Sequence, residues 1–356
     1  SLDAELVDDV IMGCVMQAGA QALNVGRNAV LAAGWPEDIP ATTIDRQCGS
    51  SQQAAHFAAQ GVMAGAYDCV IAAGVEVMSL VPMGASIGRD VGFPFGQAID
   101  RYRDVELIEG HKGLVGQGIS AEIIANEWNL TRDDLDAFGA LSQERAERAT
   151  DEGRFDNEII PVVSKIRDKE TGEVKVLDTM HTRDEGIRPG TSAESLANLK
   201  PAFLPEGKVT AGNSSQICDG ASAALIMSAE KAKELGLTPR AKFRSFALAG
   251  VDPVRMLTGP IPATTKALAK AGLSIGDLDH VEINEAFASV VLAWEKEHGP
   301  DMAKVNPNGG AIALGHPLGG SGTKLLATML NELERSGGRI GLQTMCEGGG
   351  LANATI

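Results

Sequence analysis

Two stretches that lie far apart in this sequence repeat one order of elements, and this repeat constrains the fold most. The first runs from VDDVIMG through TTIDRQCGSSQQAAHFAAQGVMAGAYDCVIAAGVE, and the second from LDHVEIN through AKVNPNGGAIALGHPLGGSGTKLLATMLNELERSGGRIGLQTMCEGGG. Each has the pattern of an apolar strand, a polar or glycine-rich turn, an Ala- and Leu-rich helix, a short turn and another strand. The repeat predicts an internally duplicated α/β fold with buried parallel sheets.

Composition excludes several classes of protein. The chain has 356 residues, of which 44% are hydrophobic, and it contains no apolar run of the ~18 residues that a membrane span needs. A disordered chain is excluded by the same apolar content. The net charge of −16 disfavours a nucleic-acid partner, because such partners require a basic surface. We therefore expect no nucleic-acid partner and no membrane partner.

The cysteines show no CxxC or Cys/His metal spacing, so we expect no metal site and no disulfide framework. They are Cys14, Cys48, Cys69, Cys218 and Cys346. Cys14 and Cys69 lie in apolar runs, which predicts buried side chains. Because we expect no disulfide framework, we expect a reducing compartment, namely the cytoplasm. The sequence opens at Ser1 directly before a strand pattern, which leaves organellar targeting open.

The segment between the two repeats differs from them in composition, because it is rich in charged residues and is interrupted by Pro and Gly. It contains one well-marked helix that Thr131 can cap and Gly153 can end. An insertion of this size predicts a subdomain, which either covers a ligand or makes an oligomer contact. The predicted organisation is an N-terminal half at 1–81, an inserted subdomain at 82–205, a return to the N-terminal half at 206–235, and a C-terminal half at 236–356.

Cys48 is the most informative position for chemistry. The preceding ATTIDRQ predicts a strand and turn, and the following GSSQQAAHFAAQGV predicts a helix. A helix N-terminus favours a thiolate through its free N–H groups and macrodipole, and such cysteines have pKa values of ~3.5–7.5 instead of ~8.5. The sequence thus predicts a nucleophile with a lowered pKa. The alternative is a buried cysteine that only packs.

Three further motifs could contribute to the same site. His316 lies within GGAIALGHPLGGSG, which places six glycines around one histidine. A phosphate-binding loop is excluded there because Lys follows Thr, but a purely structural histidine is not. Cys346 lies in TMCEGGG, where a strand-end turn is the ordinary interpretation. Asn284, in VEINEAFAS, could hold a water or an oxyanion or simply cap a helix.

Together the motifs DRQCGSSQQA, TAGNSSQICDGA, NEAFA, NPNGGAIALGHPLGGSG and CEGGG resemble the thiolase family in order and spacing, from Leu6 to Ile356. The resemblance implies two similar βαβαβ-type halves, layered α-β-α-β-α, with an inserted loop subdomain. Thiolases normally begin with a further strand and helix, which this sequence does not include.

The resemblance, closest to degradative 3-ketoacyl-CoA thiolases, also implies an activity. Such an acyltransferase cleaves a 3-ketoacyl-CoA with CoA to acetyl-CoA and a shortened acyl-CoA, through an acyl-cysteine, or runs the reverse Claisen condensation. Cys48 would be the nucleophile, His316 would take its proton, and Cys346 would exchange a proton with the acetyl Cα. No permanently bound cofactor is implied, and coenzyme A is a substrate.

The resemblance to the thiolase family also implies which residues bind the substrate. Asn284 would hold a water at the enolate oxygen, and the Gly348 backbone N–H would serve the tetrahedral intermediate. Arg188, in EGIRPG, would lie against the adenine, and Ser215, in TAGNSSQ, would contact the pantetheine. Gln117 lies at a pocket position to which the resemblance assigns no definite role. A homodimer or homotetramer is implied.

Four alternatives remain open. The chain could be a biosynthetic thiolase that forms acetoacetyl-CoA, or a thiolase for steroid-derived acyl-CoA, since FASVVLAWEKEHGPDM is similar to bacterial relatives acting in sterol breakdown. A decarboxylating ketoacyl synthase has no need for a cysteine base, so Cys346 favours a thiolase. A non-catalytic acyl-CoA-binding relative would lack the catalytic cysteines or His316, and all are present.

Overall fold

A computed structural model describes residues 3–88, 90, 92–168 and 170–356. Its strands are β1 (Asp9–Gly13), β2 (Ala41–Ile44), β3 (Cys69–Val77), β4 (Glu106–Ile108), β5 (His111–Lys112), β6 (Val162–Arg167), β7 (Val174–His181), β8 (Asp219–Met227), β9 (Phe246–Gly250), β10 (His280–Ile283), β11 (Gly341–Glu347) and β12 (Leu351–Thr355). Its α-helices are α1 (Val25–Ala32), α2 (Ser50–Met63), α3 (Ala98–Tyr102), α4 (Gln117–Glu127), α5 (Arg132–Asp151), α6 (Ala193–Leu196), α7 (Ala229–Glu234), α8 (Pro260–Ala271), α9 (Ala288–His298), α10 (Ala311–Leu314) and α11 (Ser321–Ser336). In these ranges no helix is long and apolar enough to cross a membrane.

The first sheet has the strand order β2-β1-β3-β8. Strand β1 is parallel to both of its neighbours, and β3 pairs with β8 in the antiparallel sense. The apolar run of β3 follows from this position, because an inner strand of a covered sheet is buried on both faces. Cys14 and Cys69 are buried beside these strands, as predicted.

The second sheet has the order β10-β11-β12-β9 and shares with the first an inner strand that is parallel to one neighbour and antiparallel to the other. Strand β10 is parallel to β11, with Ile283 beside Thr344, and the pairs β11–β12 and β12–β9 are antiparallel. Every residue of β11 is buried. The second sheet therefore contains a fully covered strand that ends close to the glycines of CEGGG.

Helices separate and cover the two sheets in five layers. Helix α1 contacts the first sheet, α2 and α11 contact each other and lie between the sheets, and α8 contacts the second sheet on its other side with α9 beside it. A Cβ atom at Gly322 would collide with the backbone of Gln52, so only glycine allows α11 to approach α2 this closely. The layered α-β-α-β-α arrangement that the resemblance implied is confirmed.

Part of the segment between the halves belongs to a core. Thr131 caps α5 in a capping box with Asp134, and Gly153 follows the helix with φ of 69°, as the sequence predicted. Helices α4 and α5 contribute Ile124 and Phe138, among others, to one apolar cluster with residues of the C-terminal half. These two helices are thus anchored in the fold. Ligand covering or oligomer contact by the rest of the segment stays a prediction.

Candidate active site

A tight turn holds Cys48 between β2 and α2. Gln47 has φ of 49°, and the Ser50 hydroxyl donates to the Gln47 carbonyl at 2.6 Å and accepts from the Arg46 N–H at 2.9 Å. Gly49 is the N-cap residue of α2. Cys48 therefore lies at the beginning of a helix, where the sequence placed it, but its side chain is only 4% exposed.

Burial controls the acidity of Cys48. Loss of solvation, followed by the nearby charge of Glu347, raises the pKa of the Cys48 thiol to about 12. Hydrogen bonds from the Gln117 side chain and the Gly348 backbone act in the opposite direction. The expectation of a lowered pKa is wrong for this structure, because desolvation outweighs the helix N-terminus. The resting thiol is neutral and needs a base.

Cys346 lies near the end of β11 and is fully buried. Burial raises the pKa of the Cys346 thiol well above its usual value, followed by the effects of Cys48 and Glu347. The effect of Cys48 on the Cys346 thiol places the two within electrostatic range of each other. Since Gly348 also bonds to Cys48, the structure brings Cys48, Cys346 and Gly348 into one group.

His316 lies between α10 and α11, held by a second set of hydrogen bonds. Its Nδ1 lies 2.5 Å from the Ser321 hydroxyl, which itself donates to the Pro317 carbonyl at 3.0 Å. Nδ1 must therefore carry the ring proton, and Nε2 keeps its lone pair. Burial, with the charge of Lys324, lowers the pKa of His316 to about 4, so the ring is neutral at pH 7.

Asn284 connects this histidine to the second sheet. Its Nδ2 lies 3.3 Å from His316 Nε2, and its backbone N–H donates to the Thr344 carbonyl at 3.1 Å. Because β10 and β11 are parallel neighbours, Asn284 and Cys346 lie at the same edge of the sheet. No hydrogen bond joins His316 directly to Cys48 in the described part of the chain. The site therefore consists of two adjoining groups, one around Cys48 and one around His316.

Arg188 and Ser215 lie outside the buried groups and next to Gln216, Arg188 in space and Ser215 in sequence. The exposed Arg188 guanidinium is 3.4 Å from Gln216 Oε1. Ser215 is partly exposed, and its N–H donates to the Ala286 carbonyl at 3.0 Å. The Gln216 carbonyl in turn accepts from the His316 N–H at 3.0 Å. The segment around Gln216 thus links both residues to the histidine loop.

Four residues of this region received no role from sequence reasoning: Gln117, Glu285, Ser321 and Glu347. Glu285 is buried beside Asn284, where its carboxyl accepts from the Ser142 hydroxyl at 2.6 Å. Glu285 and Glu347 were detectable, because a charged residue inside an apolar or glycine-rich motif is unusual in a core. Gln117 gave no such signal, since only tertiary contact brings it to Cys48. Among the described residues, no group of three or more His, Cys, Asp or Glu side chains could hold a metal ion.

Comparison with known proteins agrees with the geometry. The family model for the thiolase N-terminal domain matches residues 1–230, and the model for the C-terminal domain matches residues 237–356. A Mycobacterium tuberculosis protein named as a steroid 3-ketoacyl-CoA thiolase is 50% identical over the whole chain and 84% of its own length. A 3-ketoacyl-CoA thiolase of Saccharophagus degradans is 47% identical over the whole chain and 87% of its own length.

A solved structure agrees as well. The acetyl-CoA acetyltransferase of Bacillus anthracis superposes with a TM-score of 0.85 at 38% identity. The match covers 99% of this chain and 87% of that one.

Proposed function

The chain belongs to the thiolase family, and we propose that it cleaves 3-ketoacyl-CoA thioesters with coenzyme A, releasing acetyl-CoA and a shortened acyl-CoA. One observation carries this proposal: two buried thiols, Cys48 and Cys346, interact beside the Gly348 backbone N–H, and Nε2 of the neutral His316 lies 3.3 Å from Asn284 Nδ2 at the same edge of the second sheet. A nucleophile and a separate proton carrier are what C–C cleavage beside a thioester requires.

In the first step, His316 Nε2 takes the proton of Cys48 as the sulfur attacks the ketone carbon. The C2–C3 bond then breaks, leaving the acyl group on Cys48 and the enolate of acetyl-CoA. The Cys346 thiol, which its high pKa keeps protonated, gives its proton to the enolate carbon. This step ends with an imidazolium, a Cys346 thiolate and free acetyl-CoA.

In the second step, the Cys346 thiolate takes the proton of the incoming CoA thiol. The CoA sulfur attacks the acyl carbon, and Cys48 leaves as a thiolate. His316 returns its proton to Cys48, which restores all three groups. The reaction read backwards is the Claisen condensation.

Hydrogen-bond donors stabilise the charge that develops on oxygen in both steps. We assign the enolate oxygen to His316 and a water held by Asn284, and the tetrahedral oxyanion to the backbone N–H groups of Cys48 and Gly348. A donor of this kind contributes ~3–4 kcal/mol to transition-state stabilisation. Arg188 and Ser215, linked through Gln216 to the His316 loop, would contact the adenine and the pantetheine of CoA.

The decisive experiment tests Cys48→Ala against Cys69→Ala, which removes a buried thiol in β3 outside the site. Each protein is mixed with a linear 3-ketoacyl-CoA, and the acyl-enzyme is measured by intact-mass spectrometry. We expect an acyl adduct on the wild type and on Cys69→Ala, and none on Cys48→Ala. An adduct that persists on Cys48→Ala would overturn the assignment of the nucleophile.

A second substrate class has its own support. The relative that is 50% identical is named as a steroid 3-ketoacyl-CoA thiolase, so steroid-derived thioesters are the second candidate after linear ones. The test measures kcat/KM on acetoacetyl-CoA, on a long-chain 3-ketoacyl-CoA and on a steroid 3-ketoacyl-CoA. A preference for the steroid thioester would replace the linear assignment, and a preference for acetoacetyl-CoA would favour a biosynthetic role.

We also propose that the enzyme acts as a homodimer or homotetramer. Support comes from large apolar side chains exposed in the segment after β3, including Met83, Phe93 and Phe95. Exposed apolar surface of this kind is typical of contacts between proteins. Light scattering on the purified protein measures the mass, and a monomer at micromolar concentration would contradict the proposal.

A further inference from the structure

Glu347 is the last residue of β11, and its buried acidic side chain lies against the start of α2. It has no assigned role. It follows Cys346 in the sequence and is fully buried. A Cβ atom at Gly49 would collide with Glu347 Oε1 and crowd Asn353 Nδ2, so the carboxyl group lies against the N-cap residue of α2. Asn353 Nδ2 donates to the Gly49 carbonyl at 3.1 Å. Gly49 thus leaves the space that the Glu347 side chain occupies.

In the ranges that the structure describes, the Glu347 carboxyl lacks the partners that a buried carboxylate needs. Neither of its oxygens accepts a hydrogen bond from the described residues. The buried Asn353 Oδ1 on the neighbouring strand β12 also lacks a donor within the described part of the chain. A carboxylate buried without donors is costly, whereas a protonated carboxyl carries no charge and becomes a donor itself. The surroundings therefore favour the protonated form of Glu347.

Cys48 and Glu347 lie at the same helix N-terminus. Both can become anions, and a helix N-terminus in a buried site has little capacity to stabilise two negative charges that repel each other. We propose that Glu347 is a positioning residue that must hold its proton before Cys48 can ionise, so that it sets the alkaline limit of acylation. This inference rests on the proposed function, in which Cys48 is the acyl acceptor.

The charges around Glu347 agree with this coupling. The pKa of Glu347 is raised to about 8, mainly by burial. The charge of Arg46 has a smaller lowering effect, and the charge of Asp45 adds to the increase. The other titratable groups on which Glu347 acts are the thiols of Cys48 and Cys346, and its charge raises the pKa of both. Ionised Glu347 therefore makes thiolate formation at Cys48 harder.

The test compares Glu347→Gln with the wild type across pH. The rate at which iodoacetamide alkylates Cys48 is measured by peptide mass spectrometry, and acyl-enzyme formation is measured in parallel. In the wild type, we expect alkylation to rise with pH and flatten above about pH 8, where acylation begins to fall. In Glu347→Gln both changes disappear, so at about pH 9.5, about 1.5 pH units above the pKa of Glu347, the variant reacts about thirtyfold faster. At about pH 6.5 the two proteins react equally.

Two further variants keep the test decisive. Glu347→Leu also lacks the charge and should show the Glu347→Gln profile, which covers the case that the amide does not fold well. Glu282→Gln changes another fully buried glutamate of the second sheet, paired with His280, and should keep the wild-type profile. Identical profiles for the wild type and both Glu347 variants would overturn the inference, as would an equal loss of rate at every pH.

The alkylation readout separates this inference from the proposed function. Alkylation of Cys48 requires no 3-ketoacyl-CoA, so its pH profile can be measured even if the protein fails to cleave that substrate. Turnover together with an unchanged alkylation profile in Glu347→Gln would remove the role of Glu347 and leave the thiolase activity standing. In the acylation assay, the effect is expected in kcat/KM for the ketoacyl substrate, with the KM for CoA unchanged.

Discussion

Each half of the molecule buries an acidic side chain at the end of a corresponding strand. The two side chains differ in the hydrogen-bond donors that surround them. Strand β3 of the first sheet and β11 of the second each have a parallel neighbour on one side and an antiparallel neighbour on the other. Glu76 lies near the end of β3, and Glu347 ends β11. Both side chains are fully buried.

Glu76 is surrounded by donors. Its carboxyl accepts from the backbone N–H groups of Val15, Met16 and Gly319 and from Gln21 Nε2, all at 2.9–3.0 Å. Since Gly319 follows His316 in the same glycine-rich loop, Glu76 ties the first sheet to the histidine of the second half. Glu347 has no such donors among the residues that the structure describes. The difference distinguishes a carboxyl group that holds the fold together from one that the fold leaves free to exchange a proton.

The halves also divide the proposed chemistry. The N-terminal half supplies the acyl acceptor Cys48, whereas the C-terminal half supplies His316, Asn284 and Cys346. Proton transfer is thus assigned to one half and acyl transfer to the other, across the contact between α2 and α11.

The largest expected effect tests this division. Cys346→Ala should still accept an acyl group on Cys48 from an acyl-CoA donor, because the first half is intact. Turnover of a 3-ketoacyl-CoA should fall by about 10³-fold, within the range for removal of a general acid or base. Intact-mass spectrometry measures the acylation and acetyl-CoA release measures the turnover, with Cys69→Ala as the control. Normal turnover in Cys346→Ala would show that the division is wrong.

A smaller effect is expected on stability in Glu76→Gln. An amide offers one acceptor oxygen where the carboxyl has two, and its NH₂ group faces donors. Leaving buried N–H groups without partners should lower the free energy of unfolding by about 3 kcal/mol. Urea unfolding followed by circular dichroism measures this loss. A Glu76→Gln protein as stable as the wild type would remove the contrast between the two glutamates.

The smallest effect is expected on the stability of Glu347→Gln. This variant should be more stable than the wild type, whereas Glu76→Gln should be less stable. The folded-state pKa of Glu347 is raised from 4.5 to about 8, so between these values the folded protein keeps a proton that the unfolded chain has lost. Between these two pH values the free energy of unfolding of the wild type falls as pH rises. Glu347→Gln has no carboxyl group at this position, so its free energy of unfolding does not fall for this reason. Near pH 8 we expect Glu347→Gln to be more stable by about 1 kcal/mol, because the cost of burying the glutamine amide offsets most of the gain. Urea unfolding at several pH values checks this, and a variant that is less stable than the wild type at pH 8 would contradict it.

Sequence reasoning could propose much of the candidate site because its signals are local. A capping threonine and a closing glycine predicted α5, and the residues around Cys48 predicted a helix start. Arg188 and Ser215 came only from the family resemblance, since neither lies in a pattern that chemistry alone would select. Gln117 could not be assigned, because its contact with Cys48 depends on how α4 is packed against the rest of the fold.

The amino-acid order by itself determined the repeated α/β pattern, the helix starts and the motifs that carry Cys48, His316 and Cys346. These features follow from backbone preferences and from the period of apolar residues, which act over a few neighbouring positions. Protonation states were decided by the tertiary structure alone. Burial between two sheets raises the pKa of Cys48 to about 12, lowers that of His316 to about 4 and raises that of Glu347 to about 8, because desolvation depends on residues that only the fold brings together.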